Sequence, residues 1–316
     1  AGTLKTDVAT LAPLAAGRVT VDLAGTVSPD QITLDEGVLR SGALNASVNA
    51  TLSLADLAMT LGMKADAVSS ALPPQLKPVL GERVQFSATA TRDPKGSFAA
   101  NTIELTSGSL KASGTASASG TEISADLKGS LGDVSPLSGL ARTDLAGGVN
   151  FALKASGART APDFSITASS DKLVASGKTV TGLSLTATGK ADIAAPVADV
   201  SLTGSVEGKP LNLKATMATT DGKMTADVKG DFGDLSVLSE QVAGAVGFTI
   251  KAEGEATAPN VSFTLNSAGL TVAGHQIAGL ELTAVGKADV ANPAADVKLK
   301  GDVSGQPLNG TATLRT

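Results

Sequence analysis

Apolar and polar residues alternate one for one along most of the chain. Leu183, Leu185 and Ala187 are separated by Ser184 and Thr186, and the same pattern runs through Val149, Phe151, Leu153, Ala155 and through Val246, Phe248, Ile250, Ala252. It recurs at Leu211, Leu213, Ala215, Met217, at Ile123, Ala125, Leu127, and at Leu110, Ala112. A period of two sends alternate side chains to opposite faces of a strand, so each run predicts a strand with one apolar and one wet face. Gly-Lys, Asn-Pro, Asp-Gly and Gly-Lys-Pro steps separate the runs and supply the backbone angles of tight turns. The reading is an antiparallel meander of about 20 to 25 strands, which at about 4.8 Å per strand is an elongated object.

A second pattern punctuates the strands: an Asp, a short apolar stretch, then Gly-x-Val. It starts at Asp7, Asp133 and Asp234, with a looser version from Asp56 through Leu72, Pro73, Pro74 and Leu76 to Gly81 and Val84. Asp offers an N-cap oxygen and Gly an exit, so one short helix per unit is expected at each place. This divides the chain into a degenerate first repeat (1–55), a second (56–132) with a longer helical insertion near 57–80, a third (133–233) and a truncated fourth (234–316), expected to form one continuous structural unit.

The repetition is explicit at a shift of 97 residues, where Leu145–Thr219 pairs with Val242–Thr316 and 39 of 75 positions are identical. Leu183, Leu185, Val200, Leu202 and Val206 recur as Leu280, Leu282, Val297, Leu299 and Val303. Between them Ser184 became Glu281, Ser201 became Lys298, Thr203 became Lys300 and Ser205 became Asp302. One face had to stay apolar while the other only had to stay polar.

That apolar face must be covered, and the few short helices are too small to do it. Either the sheet folds back into a filled sandwich, or it curves into a trough whose inner face is left for a guest. The candidate groove lining is Val149, Phe151, Leu153, Leu183, Leu185, Val200, Leu202, Val206, Leu211, Leu213, Phe248, Ile250, Leu280, Leu282, Val297, Leu299 and Val303. Small inward residues such as Ala187, Ala215, Gly204 and Gly301 favour strong curvature. An aliphatic lining poor in polar groups suits acyl chains, which bring no hydrogen bonds to satisfy.

Composition sharpens this picture. With 35 Gly, no Trp, no Tyr and seven Phe, the chain lacks the aromatics of a thick globular core, yet 42% hydrophobic residues exceed what disorder allows. The net charge of −5 comes from well-mixed acids and bases and gives no basic stripe, which argues against nucleic acid as a partner. The absence of cysteine removes disulfides and thiolate chemistry. No run approaches the roughly 18 apolar residues of a membrane-crossing helix. Starting at Ala1 and ending at Thr316 in mid-pattern, the chain reads as an internal segment of something longer.

These features resemble the repeat region of the TamB and AsmA-like bridge proteins of Gram-negative envelopes. The resemblance rests on the Leu-x-Leu-x-Ala and Val-x-Leu-x-Gly-x-Val strands, the turns Gly189-Lys190-Ala191-Asp192 and Gly286-Lys287-Ala288-Asp289 with their following Pro196 and Pro293, and the helix-like Asp234-Leu235-Ser236-Val237-Leu238-Ser239. It implies an elongated, strongly curved all-β sheet, a "taco" with an open hydrophobic groove, in the periplasm and anchored in the inner membrane outside this segment. It further implies phospholipid transfer between inner and outer membranes, support of outer-membrane protein assembly and secretion, and an Omp85-type, TamA-like barrel as partner through parts of the full protein beyond this chain. The competing expectation is a structural or adhesive β-repeat surface protein with a dry core.

Catalytic readings find little to stand on, and the chain is expected to be no enzyme and to need no cofactor. His275, the only histidine, aligns with Lys178 and reads as a turn residue. Gly177-Lys178-Thr179 lacks the glycine five positions earlier that a phosphate loop needs, and Gly189-Lys190 continues with Ala191. Asp192, Asp199, Asp289 and Asp296 recur near turns without the dense spacing of a calcium loop.

Overall fold

The structure, a computed structural model, describes residues 18–69, 77–289 and 294–315. Over these residues the chain is all-β, an antiparallel sheet that stays open instead of closing into a barrel. The backbone gathers into two units, Ala1–Arg159 and Thr160–Thr316. Their border falls inside the third repeat expected from sequence.

The first unit contains β1 (Thr20–Val27), β2 (Gln31–Arg40), β3 (Leu44–Ser53), β4 (Met59–Val68), β5 (Arg83–Arg92), β6 (Phe98–Ser107), β7 (Leu110–Ala118), β8 (Glu122–Leu131), the three-residue β9 (Leu145–Gly147) and β10 (Val149–Ala158). Each strand from β1 to β7 pairs with its successor, and β8 pairs with β10. The second unit repeats the scheme with β11 (Asp163–Ala175), β12 (Lys178–Lys190), β13 (Val197–Val206), β14 (Lys209–Thr220), β15 (Lys223–Phe232), the two-residue β16 (Val242–Ala243), β17 (Val246–Glu255), β18 (Asn260–Val272), β19 (His275–Lys287), β20 (Ala294–Val303) and β21 (Gln306–Arg315). Pairing is again sequential, with β15 joined to β17 and β16 lying on β18.

Local chemistry explains the order. Two-residue hairpins at Glu207-Gly208 and Ser304-Gly305 hold both residues at positive φ, 49° and 79° in the first and 52° and 84° in the second. That is the turn whose twist matches two adjoining strands, and glycine at its second position makes it cheap. Bulges interrupt the ladders at the same place in both copies, between Thr181 and Ser184 in β12 and between Ala278 and Glu281 in β19. Gly182 and Gly279 sit there with φ of 58° and 55°. An extra residue on one strand bends and coils it, and such slips recur in β1, β2, β5 and β6 of the first unit.

Apart from Val38, which stands opposite Ser47 within β2, the fully buried apolar side chains collect at one end of the strands. In the first unit the register row Ala67, Val84, Ser107, Leu110, Leu131 runs along that end. Ala67, Val84 and Leu131 are buried there together with Leu80 and Val134 from the connecting turns. The Ser107 hydroxyl donates to the Leu80 carbonyl and to the Arg83 carbonyl at 2.8 Å, stitching the one-turn helix α1 (Lys77–Leu80) onto the sheet. A 3-10 turn at Ser135–Leu137 and the one-turn α2 (Ser138–Ala141) follow β8. In the second unit Val237, in the 3-10 turn Leu235–Val237, and Leu270 are buried at this end, and the Ser267 hydroxyl donates to the Ala245 carbonyl at 2.7 Å.

Three of the expected helix starts can be compared. Asp234 accepts the amides of Ser236 and Gly244 at 3.0 and 2.9 Å and caps as expected, although the turn it starts is shorter than a helix; Asp133 accepts the Ser135 amide at 2.9 Å from one position before the N-cap, which is Val134. The helical insertion expected near 57–80 is corrected over its first part: Asp56 shapes a turn by accepting the Ala58 amide at 3.1 Å, strand β4 follows at once, and only the one-turn α1 (Lys77–Leu80) is α-helical within the described residues of that span. The alternation Met59, Leu61, Met63, Ala65, Ala67 is itself period-two, and it prevails over the capping residue. Asp7, and the stretch holding Leu72, Pro73, Pro74 and Leu76, lie outside the described residues.

Asp234 carries a pH prediction. The Gly244 and Ser236 amides, with Lys209 Nζ at 3.2 Å, hold its carboxyl far below the usual carboxylate range. A lowered folded-state value means the contribution to stability is complete above the unfolded pKa of about 3.9 and is lost as pH falls through the folded value. Asp234→Ala is therefore expected to speed hydrogen exchange at the Gly244 and Ser236 amides at pH 7, with little further change on acidification. The unaltered chain should lose protection there only well below pH 4.

Candidate functional site

In the second unit the strand register assembles three unbroken rows of apolar or glycine residues on one face. The first runs Ala168, Leu185, Leu202, Leu213, Gly230, Phe248, Leu265, Leu282, Leu299, Gly310, and the second Ile166, Ala187, Val200, Ala215, Val228, Ile250, Phe263, Ala284, Val297, Ala312. The third runs Phe164, Gly189, Ala198, Met217, Ala226, Ala252, Val261, Gly286, Ala295, Leu314. Ten strands about 4.8 Å apart make each row about 43 Å long, and neighbouring rows stand about 7 Å apart. The opposite face is polar throughout its central row: Thr167, Thr186, Ser201, Lys214, Lys229, Thr249, Thr264, Thr283, Lys298, Thr311.

The first unit builds the same surface. One row reads Gly37, Val48, Met63, Ala88, Ile103, Gly114, Leu127, Leu153, and the next Leu39, Ala46, Ala65, Phe86, Leu105, Ala112, Gly129, Phe151.

Burial separates this face from a core. Leu183, Leu185 and Ala187 are half-buried while Ser184, Thr186 and Thr188 between them are exposed. Every residue named from the sequence as groove lining is likewise half-buried, except Leu153, which is 37% exposed. None reaches the full burial of Val84, Leu131, Val237 or Leu270 at the capped end. Toward the other strand ends exposure grows, with Met217 at 39% and Leu314 at 54%. The apolar face is therefore sealed along the side carrying the caps and open along the other.

The aromatics fill gaps within the rows. Phe151 lies across Gly129, its register partner, and Phe248 across Gly230, so each ring occupies the space where the glycine's side chain would stand. Phe164 covers Gly189 in the same way, its Cζ 2.9 Å from the position a β-carbon would take. Such aromatic cover compensates a glycine in a strand. It also explains how seven Phe serve so long a surface.

The register joins most of the predicted lining into continuous rows: Leu185, Leu202, Leu213, Phe248, Leu282 and Leu299 in the first, Val200, Ile250 and Val297 in the second, with Phe151 and Leu153 in those of the first unit. Val149, Leu183, Val206, Leu211, Leu280 and Val303 lie toward the capped end; Leu211 pairs with Gly204 and Phe232, and Val206 and Val303 pair with Val180 and Ile277. Sequence reasoning missed Leu265, Phe263, Ile166 and Val228, and the rows of the first unit. Their period-two spacing was visible, but Ile166 aligns with Phe263 and Leu265 with Ala168, positions the two copies did not keep identical, while Val228 and most of the first unit fall outside the duplication. His275 is exposed at the start of β19. Asp192 shapes a turn by accepting the Ala194 amide at 2.8 Å, whereas Asp199 and Asp296 stand inside β13 and β20, Asp296 paired with Arg315 at 2.8 Å.

Compared with known family models, curated proteins and solved structures, the chain matches none.

Proposed function

We propose that this chain is a periplasmic segment of a TamB-like bridge protein, that its apolar face carries phospholipid acyl chains between the inner and outer membranes, and that it catalyses no reaction. In this reading it also supports outer-membrane protein assembly and secretion, and an Omp85-type, TamA-like barrel is engaged by parts of the protein beyond this chain. The supporting observation is the set of unbroken, half-buried apolar rows. A guest chain gains about 0.8 kcal/mol for each methylene taken out of water. Rows that repeat Leu, Val and Ala at every strand offer nearly the same gain at each step, so a tail meets no deep trap along them. A surface of this kind suits passage better than retention, and an apolar area so extended marks an interaction site in itself.

The test places a photocrosslinking amino acid at Leu185, Leu202 or Leu282, and at Ser184 or Ser201 on the wet face, and illuminates cells. Phospholipid should be captured by the first three and not by the two serine positions. Equal capture on both faces, or capture at neither, would overturn the proposal in favour of a dry-cored structural or adhesive repeat.

A further inference from the structure

The apolar face of the first unit carries one charge. Its outermost row, toward the open ends of the strands, reads Leu52, Met59, Arg92, Phe98, Ala118, Ile123, and the row beside it Ala50, Leu61, Ala90, Ala100, Ala116, Ala125. Together with the two rows of this unit given above, these hold a single ionisable residue, Arg92. Alternation along β5 puts Arg92 on the same side as Ala88 and Ala90, which is the side of the apolar rows and not the wet one.

Arg92 is held in place without being neutralised. One guanidinium N–H donates to the Leu57 carbonyl in the turn between β3 and β4, and the group lies over the Phe98 ring with its Cζ 5.9 Å from the ring centroid. Phe98 is itself 52% exposed, so ring and cation stand together at the open side. Among the described residues no carboxylate forms a salt bridge with Arg92. Asp56 is near enough to feel its charge but accepts the Ala58 amide at 3.1 Å, and Asp93 accepts the Ser97 amide at 2.8 Å. Lys95, exposed in the turn between β5 and β6, forms no salt bridge among the described residues either and adds to the positive charge. A guanidinium offers five N–H donors in a flat fork, and the Leu57 bond uses one of them.

We propose that Arg92 anchors the phosphate of a phospholipid whose acyl chain lies on the adjoining apolar rows, so that the first unit holds a lipid by head and tail on one face. This rests on the groove reading and adds to it the recognition of the phosphodiester. The guanidinium stands at the rim, and the uncharged row through Ala90 begins about 7 Å further in along the same strand. Arginine suits the task because its fork can give two parallel N–H groups to two phosphate oxygens. Zwitterionic and anionic phospholipids share that phosphate and are both accepted, whereas diacylglycerol, which has the tails alone, is not anchored. The three apolar rows of the second unit contain no charged residue, so the anchor belongs to the first unit.

The purified chain would be incubated with phosphatidylcholine vesicles containing a trace of phosphatidylcholine, phosphatidylglycerol or diacylglycerol with a diazirine on the acyl chain, illuminated, and its labelled peptides quantified by mass spectrometry. The peptide holding Phe98 and Ala100 should take up the two phospholipid probes alike, and each about tenfold more than diacylglycerol, the scale of a charge-assisted hydrogen bond. Arg92→Gln should bring that ratio near one and leave diacylglycerol labelling as it was. Because Arg92 also ties down Leu57, whose φ of 58° is left-handed, the same change is made together with Leu57→Gly, since glycine takes that angle freely. The double variant should keep the protection of its β4 and β5 amides against hydrogen exchange and still lose the preference. Soluble glycerol phosphate, a phosphate ester without a tail, should leave the preference in place. A ratio near one in the unaltered chain, a ratio that survives Arg92→Gln in both backgrounds, or a preference erased by glycerol phosphate would overturn the proposal. So would an equal fall in labelling by all three probes, which would make Arg92 a tie for the turn and nothing more. Labelling along Leu185, Leu202 and Leu213 reports separately on the groove. If those rows label while the rim shows no preference, only this inference fails; if no apolar row of either unit takes up any probe, the groove reading fails.

Discussion

Leu202→Asp is expected to leave the sheet folded and to abolish acyl capture, whereas Leu131→Asp should unfold the capped end of the first unit. Leu202 is half-buried between Leu185 and Leu213 on the open face, so a carboxylate there reaches water and the fold loses only part of a leucine's burial, about 1 kcal/mol. A negative charge in the middle of the apolar row would then stand in the way of any hydrocarbon tail. Leu131 is 8% exposed, opposite Leu110 and Val149. An aspartate there must be protonated, which at pH 7 costs about 4 kcal/mol for a group of pKa near 3.9, and the lost leucine adds about 2 kcal/mol. Together these approach the whole stability of a typical domain, about 5–15 kcal/mol. Thermal melts of the two variants measure the contrast. A collapse of Leu202→Asp equal to that of Leu131→Asp would mean that the row is a filled interior.

Valine at Gly189 or at Gly286 should destabilise the second unit by about 1–3 kcal/mol at each site, and more where the backbone cannot give. A β-carbon at Gly189 would run into the Val197 carbonyl oxygen, and one at Gly286 into that of Ala294. These are main-chain atoms of the adjoining strand, fixed by the ladder. Glycine is therefore required here by the approach of a neighbour, since neither residue has a positive φ. For Gly230→Val the nearest atoms all belong to the Phe248 ring, which can swing aside, so it is expected to cost less. Urea unfolding of the three variants tests the order, and a Gly230 variant as damaged as the other two would contradict it.

How far these features could be read in advance varies with their physical origin. The strand faces were legible because period two is a property of a single strand, and the drift of Ser184 to Glu281 beside the unchanged Leu185 exposed which side was held apolar. The cap at Asp234 was legible because an N-cap acts within a few residues of its own position. The stretch after Asp56 was misread because a capping residue also shapes turns, and only the alternation from Met59 to Ala67 decides between them. The bulges at Gly182 and Gly279 could not be read, since a register slip belongs to two strands and not to one.

Because pairing within each unit follows chain order, no strand waits for a distant partner before it can settle. Contacts this close along the chain favour rapid ordering, and the energetics become those of a row of dominoes, each strand leaning on the one before and the one after. Such a polypeptide can zip up as it emerges from a narrow exit, one hairpin at a time. Damage to a single hairpin then frays its surroundings and leaves more distant hairpins standing.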